Sequence, residues 1–281
     1  MGQDKDREGG LSKVLVLIAA IVLLSPLWFT AVGSFQDLDG VMSMPPAPWP
    51  RVPTLENYEW IMTHPIALWA RNTGVLVVLT VMISVTVSCC AAYAFAFFDF
   101  KFKKALWLLL LAGVMVPRIS LIIPLFVVLR KVGLGGTLIG VVLARAVVPM
   151  ALYLARAFFE TVPRSLLDAA RIDGAGDFTI LARVVAPISK PIITCLALFS
   201  AMSAQGDYIW QNLQLQRPEV VPLLIGLIRA VNDRQGGQAE LMMNPIGRKL
   251  AMAMVLLLPM LAIYFTASRY FTSALGGAIK E

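Results

Sequence analysis

The feature that constrains this chain most is the recurrence of apolar runs long enough to cross about 30 Å of hydrocarbon. Six such runs stand at about 14–35, 74–97, 105–129, 138–159, 191–210 and 250–271. A bilayer core holds no water to satisfy backbone N–H and C=O groups, so each run is expected to close its hydrogen bonds internally as a helix. The resulting reading is an all-α membrane protein with six transmembrane helices. Composition agrees, since 58% of the 281 residues are hydrophobic and only 15% are charged, against roughly a quarter charged in an average soluble domain. The first run is long for a cleaved signal peptide, shows no clear small-x-small cleavage site and continues through Pro26-Leu27-Trp28-Phe29, so it reads as a retained helix.

Charge sets the expected topology. Lys101, Lys103 and Lys104 crowd one short loop, and Arg164, Arg171, Arg183 and Lys190 crowd the segment 160–190. Short basic loops stay in the cytoplasm, which puts both tails, 1–13 and 272–281, on that side as well. The longer segments 36–72 and 211–248 then face outward; the first is proline-rich, with a short interfacial helix expected at Thr54-Leu55-Glu56-Asn57-Tyr58. The net charge of +7 follows from this loop bias. It is not gathered into a basic stripe with interleaved aromatics, so nucleic acid is not an expected partner, whereas membrane lipid is. Cys89, Cys90 and Cys195 fall inside apolar runs and are expected to be reduced, buried thiols. A lone histidine, His64, cannot form a metal site, and no Gly-x4-Gly-Lys-Ser/Thr loop is present. The chain is expected to bind no cofactor. Any ATP and Mg would be held by a partner.

Between the fourth and fifth runs lies the polar segment Glu160 to Pro191, read as a helical hairpin. Thr161 is expected to cap a first helix of about Val162 to Asp173, with Pro163 in its first turn and Gly174-Ala175-Gly176 as its stop. On a helical wheel Val162, Leu166, Ala169 and Ala170 share one face, and Arg164, Asp168 and Arg171 lie opposite. Asp177 is read as the cap of a second helix with Phe178, Leu181, Ala182 and Val185 on one face, ended by Pro187. Two alanines beside a charged ladder permit close approach by another protein's backbone.

This hairpin resembles the EAA loop of ABC importer permeases. The family pattern is Glu-Ala-Ala, three residues, Gly, nine residues, Ile-x-Leu-Pro; here stand Asp168-Ala169-Ala170, Gly174 and Val184-Val185-Ala186-Pro187. The stretch VPRSLLDAARIDGAG is most similar to the carbohydrate and glycerol-phosphate branch. Collinear matches run from about residue 11 to the C-terminus, including Tyr93-Ala94-Phe95-Ala96, Ile123-Pro124-Leu125 and Arg269-Tyr270-Phe271. The resemblance implies a type I ABC importer transmembrane domain. It implies as partners a second homologous permease subunit, an ABC ATPase dimer docked on the hairpin and an extracytoplasmic substrate-binding protein. By the same resemblance Leu166, Asp168, Ala169, Ala170, Asp173, Gly174 and Pro187 couple the chain to the ATPase, and the cargo is a sugar or sugar derivative.

Charges within a span are costly and usually face a bundle interior or a cavity. Arg118, Arg145 and Asp207 are the three that stand out. Ser200, Ser203, Asp207 and Trp210 recur at helical spacing, with Gln205 and Tyr208 nearby. Hydroxyl, carboxylate and aromatic groups in one stripe suit a polyhydroxylated substrate, but the same residues also serve helix packing and interface anchoring. Arg118 has the alternative of a structural pair at the Pro117 break, and Arg145 that of snorkelling to the outer surface. An ion-coupled secondary transporter using Asp207 is the rival function. A membrane enzyme is disfavoured, because no Ser/His/Asp, paired-carboxylate or HExxH arrangement lies in a span.

Overall fold

The structure is a computed structural model that describes residues 2–146, 148–232 and 244–278. Among them there is no strand beyond one isolated bridge, between Gln36 and Pro53. In chain order the helices are α1 (Gly2–Ser34), α2 (Leu38–Val41), α3 (Glu56–Met62), α4 (Ile66–Phe97) and α5 (Lys103–Met115). A 3-10 turn, Arg118–Leu121, then leads into α6 (Ile122–Lys131), α7 (Leu138–Leu143) and α8 (Pro149–Phe159). The hairpin comprises α9 (Arg164–Ile172), α10 (Asp177–Ile180), a π-helical stretch Leu181–Val185, and α11 (Ala186–Ile188). α12 (Lys190–Gly206), α13 (Tyr208–Gln214), α14 (Leu223–Asn232) and α15 (Pro245–Ala278) complete the described chain.

Two compact units divide it, residues 1–66 with 227–259 and residues 67–226 with 260–281. In the first, the end of α1 packs through Trp28 against Trp49 and buries Val32, whereas most of its remaining apolar surface is exposed, Leu23 by 75%. That suits a helix whose solvent is lipid. Polar groups tie the end of α1 to α3: Asn57 donates to the Ser34 and Gln36 carbonyls at 3.0 and 2.9 Å, and Asn244 donates to the Gln36 carbonyl at 2.8 Å. The short helix expected near Thr54 is α3.

In the second unit, α4 begins eight residues before the expected span and is about 48 Å long at 1.5 Å per residue. Its first turns are held by non-local hydrogen bonds, which the local reading of a polar loop did not weigh. Asn72 donates to the Glu219 and Val221 carbonyls, each at 2.9 Å, and Thr73 Oγ1 accepts from the Leu223 N–H at 2.8 Å.

The other apolar runs are broken. α5 and the Arg118–Lys131 segment bend by 102° where Val116 and Pro117 are extended. The expected span 138–159 is interrupted between Leu143 and Pro149, because proline forces the preceding residue, Val148, out of helical geometry. The expected span 191–210 ends as a helix at Gly206, and Asp207 takes φ −81 and ψ 66 before α13 starts. By length and apolarity, three described helices can cross a bilayer unbroken, and up to five spans result if each bent pair counts as one. The presumed outer segment 211–248 contains the end of α13 and all of α14. Of the three free thiols, Cys89 is buried, while Cys90 and Cys195 are half-buried.

Packing in the second unit is tight at Gly226, where an added Cβ would lie 2.2 Å from the buried Trp69 ring. Overpacking of this kind costs about 1–3 kcal/mol. Gly226→Ala is therefore expected to lower the thermal unfolding midpoint of the detergent-solubilised protein. Adding Trp69→Leu should recover part of the loss.

Candidate functional site

Each of the three charges expected within the membrane stands at a helix break. Arg118 directly follows the bend at Pro117, Arg145 lies between α7 and α8, and Asp207 lies between α12 and α13. Irregular backbone at membrane depth is tolerated where it is enclosed by protein or lines a watery cavity. Here the breaks meet around one open cavity of about 670 Å³, lined by Arg118, Arg145, Ser203, Asp207 and Tyr208 among others.

Within it, Arg145 Nε lies 2.8 Å from Asp207 Oδ2; the contact is an ion pair and does not meet hydrogen-bond geometry. The two side chains are 16% and 21% exposed, so the pair is largely withdrawn from solvent. The Arg145 guanidinium also lies 5.4 Å from the Trp210 ring centroid. The pair thus joins the break before α8 to the break after α12. Gln211 donates to the Ala204 carbonyl, satisfying an acceptor that the end of α12 leaves without a helical partner. Arg118 reaches the Ser203 hydroxyl at 3.5 Å.

The stripe expected on the fifth span is divided between the cavity and the bundle. Ser203, Asp207 and Tyr208 line the cavity. Ser200 instead donates to Ser84 at 3.0 Å inside the bundle, and Gln205 is buried. Trp210 is fully buried and points its Nε1 at the Val141 carbonyl, 3.4 Å away. The structure therefore places Gln205 and Trp210 in packing. Arg145 is held by Asp207 rather than extended along a lipid surface.

At the other end of the second unit, α9 stops at Gly174 with φ +83, a left-handed conformation open to glycine at little cost. The Gly174 N–H donates to the Arg171 carbonyl at 3.0 Å and the Ala175 N–H to the Ala170 carbonyl at 2.9 Å, the paired bonds of a Schellman stop. Asp173 supplies the preceding N–H to the Ala169 carbonyl. Three local expectations differ from the structure. Thr161 does not cap α9, since its hydroxyl donates to the Phe158 carbonyl and Pro163 takes the cap position. Asp177 is the first residue of α10 rather than its cap, Gly176 holding that place. Pro187 does not end the second helix, because proline is tolerated in the first turn of α11.

The wheel also needs correction. Val162 precedes α9, so helical spacing does not relate it to the rest. Leu167 is the buried contact, Ala170 is half-buried, and Leu166 and Ala169 face outward. Outward apolar surface continues at Ile172 and Phe178, 86% and 81% exposed. Asp168 pairs with Arg171 at 3.5 Å. Arg171 and the Tyr93 hydroxyl both donate to Asp177, at 3.4 and 3.1 Å, and so fasten the hairpin to α4. Neither Ile172 nor Tyr93 was singled out for a site role from the sequence. Tyr93 gives no local signal, because its partner is 84 residues away. The second helix of the hairpin meets α12 at 90°.

Comparison with known proteins agrees with this architecture. Residues 84–275 match the family described as "Binding-protein-dependent transport system inner membrane component". The galactooligosaccharides transport system permease protein GanQ of Bacillus subtilis is 27% identical over 270 residues, covering 94% of this chain and 92% of that protein. The maltodextrin transport system permease protein MdxG of the same organism is 26% identical over 93% of this chain and 92% of its own length. Among solved structures, a bacterial ABC transporter involved in the import of the acidic polysaccharide alginate superposes with a TM-score of 0.81. It is 23% identical, with 96% of this chain and 99% of that chain covered.

The ion pair generates a stability prediction. Asp207→Asn strands the Arg145 charge in a poorly solvated place and should cost about 2–3 kcal/mol, less than for a fully buried pair. Combining it with Arg145→Gln should restore most of the lost unfolding midpoint in detergent.

Proposed function

We propose, since the chain belongs to the family of binding-protein-dependent transport system inner membrane components, that it forms one half of the membrane pathway of an ATP-driven importer for a sugar or sugar derivative. The observation that carries this reading is the convergence of three helix breaks, each bearing a charge, on one open cavity. A second homologous permease subunit would close the open side. GanQ and MdxG, both named as saccharide transport permeases, support the substrate class. The only carboxylate lining the cavity among the described residues is held by Arg145, which leaves ion coupling at Asp207 without support.

In this reading ATP and Mg are held by a dimer of ATPase subunits, and an extracytoplasmic binding protein delivers the cargo. The hairpin meets the ATPase through Leu166, Ala169, Ile172 and Phe178, an exposed apolar strip with small residues where a partner's backbone approaches. Asp168, Arg171 and Asp177 keep α9 and α10 at a fixed angle, and Tyr93 ties them to α4. Closure of the ATPase dimer on ATP then moves the hairpin as a rigid piece, and the cavity alternates between outward and inward exposure.

Ala169→Arg places a bulky charge on that strip without touching the cavity. Uptake driven by the complete system should fall by about tenfold or more, the loss of a well-packed interface contact. Substrate capture by the binding protein should remain as it was. Retained uptake with normal coupling to ATP hydrolysis would count against docking at this strip.

A further inference from the structure

The cavity is not electrically neutral, and its imbalance points to the chemistry of the cargo. Of its three charged lining residues, Arg145 and Asp207 cancel in an ion pair. Arg118 remains. It takes part in none of the ion pairs among the described residues, and its one hydrogen bond, to the Ser203 hydroxyl, is long at 3.5 Å. Most of its five N–H donors are therefore available to a ligand. Arg118 is exposed to the open cavity at the helix break, and a planar guanidinium binds an oxyanion best when it can donate two parallel hydrogen bonds to it.

A neutral saccharide asks for something different. Its hydroxyls are strong donors and bind well to carboxylates, yet the only carboxylate lining the cavity among the described residues is engaged by Arg145. What the cavity offers is one available cation with the hydroxyls of Ser203 and Tyr208 beside it, in a volume of about 670 Å³ that suits a small oligosaccharide or sugar phosphate.

We propose that the transported saccharide carries an anionic group, a carboxylate or a phosphate, and that Arg118 receives it during passage. This rests on the permease reading and sharpens its substrate class. Ser203 and Tyr208 serve the neutral hydroxyls of the same molecule, and the Arg145–Asp207 pair holds the opposite wall in place.

The test measures uptake of three radiolabelled probes, trigalacturonate, glycerol 3-phosphate and neutral maltotriose, by cells carrying the complete transport system. The chain is wild type, Arg118→Gln or Arg118→Lys, and each variant is also checked for recovery with its ATPase from membranes. The proposal expects uptake of an anionic probe in preference to maltotriose, with trigalacturonate and glycerol 3-phosphate separating a carboxylate from a phosphate cargo. Arg118→Gln should then lower anionic uptake by about tenfold or more, the loss of a charge-assisted hydrogen bond, and Arg118→Lys should keep a larger share. Uptake of maltotriose alone, or anionic uptake unchanged by Arg118→Gln, overturns it. So does a failure of both variants to assemble, which would make Arg118 a structural partner of an acidic residue in the second subunit. Uptake that survives ATP depletion would instead defeat the permease reading and leave the charge argument separate.

Discussion

Everything in the second unit depends on one constraint: hydrocarbon solvates neither a charge nor an unpaired peptide group. A helix that breaks inside a membrane must therefore turn its break toward other protein or toward a watery space. This chain breaks at three places and puts a charged residue at each, Arg118, Arg145 and Asp207. Gathering both at one location lets a single polar space, rather than hydrocarbon, border the broken helix ends and the charges. The Arg145–Asp207 contact at 2.8 Å then fixes two of the breaks relative to each other.

Such an arrangement has a functional consequence that an unbroken bundle would lack. Continuous helices present alternating side chains to a partner but bury their backbone. Broken ones expose polar backbone and short polar side chains at one level, where a hydrated cargo can exchange water for protein. The hairpin answers the complementary need at the other end. Its Schellman stop at Gly174 and its Asp177 contacts with Arg171 and Tyr93 brace it against α4, as the proposed lever role requires.

Short-range motifs were legible in the sequence, their exact caps and faces less so, and long-range geometry was not. The hairpin could be placed because its signals are within a few residues of one another: Asp168, Ala169 and Ala170, then the Gly174-Ala175-Gly176 stop. The three intramembrane charges could be found because charge is rare in apolar runs. The break at Pro117 was legible too, and the other two were harder. Pro149 signals one, but the apolar run continues across it, and Asp207 follows only a glycine. Once the helix turns at Asp207, the spacing that linked Trp210 to Ser200 and Ser203 loses its meaning, and Trp210 is buried against Val141 instead of facing the cavity. The early start of α4 and the Tyr93 tie both rest on partners far along the chain, Glu219, Val221 and Asp177, which periodicity does not register.

The central claim is that this chain is a pathway subunit whose cavity and hairpin are each completed by another protein. It is tested most directly by isolating the chain from its native membrane in mild detergent, identifying the proteins that accompany it and assaying them for ATP hydrolysis. The account predicts recovery of a second permease subunit and an active ATPase. A chain that purifies alone and moves its cargo on an ion gradient without ATP would contradict it.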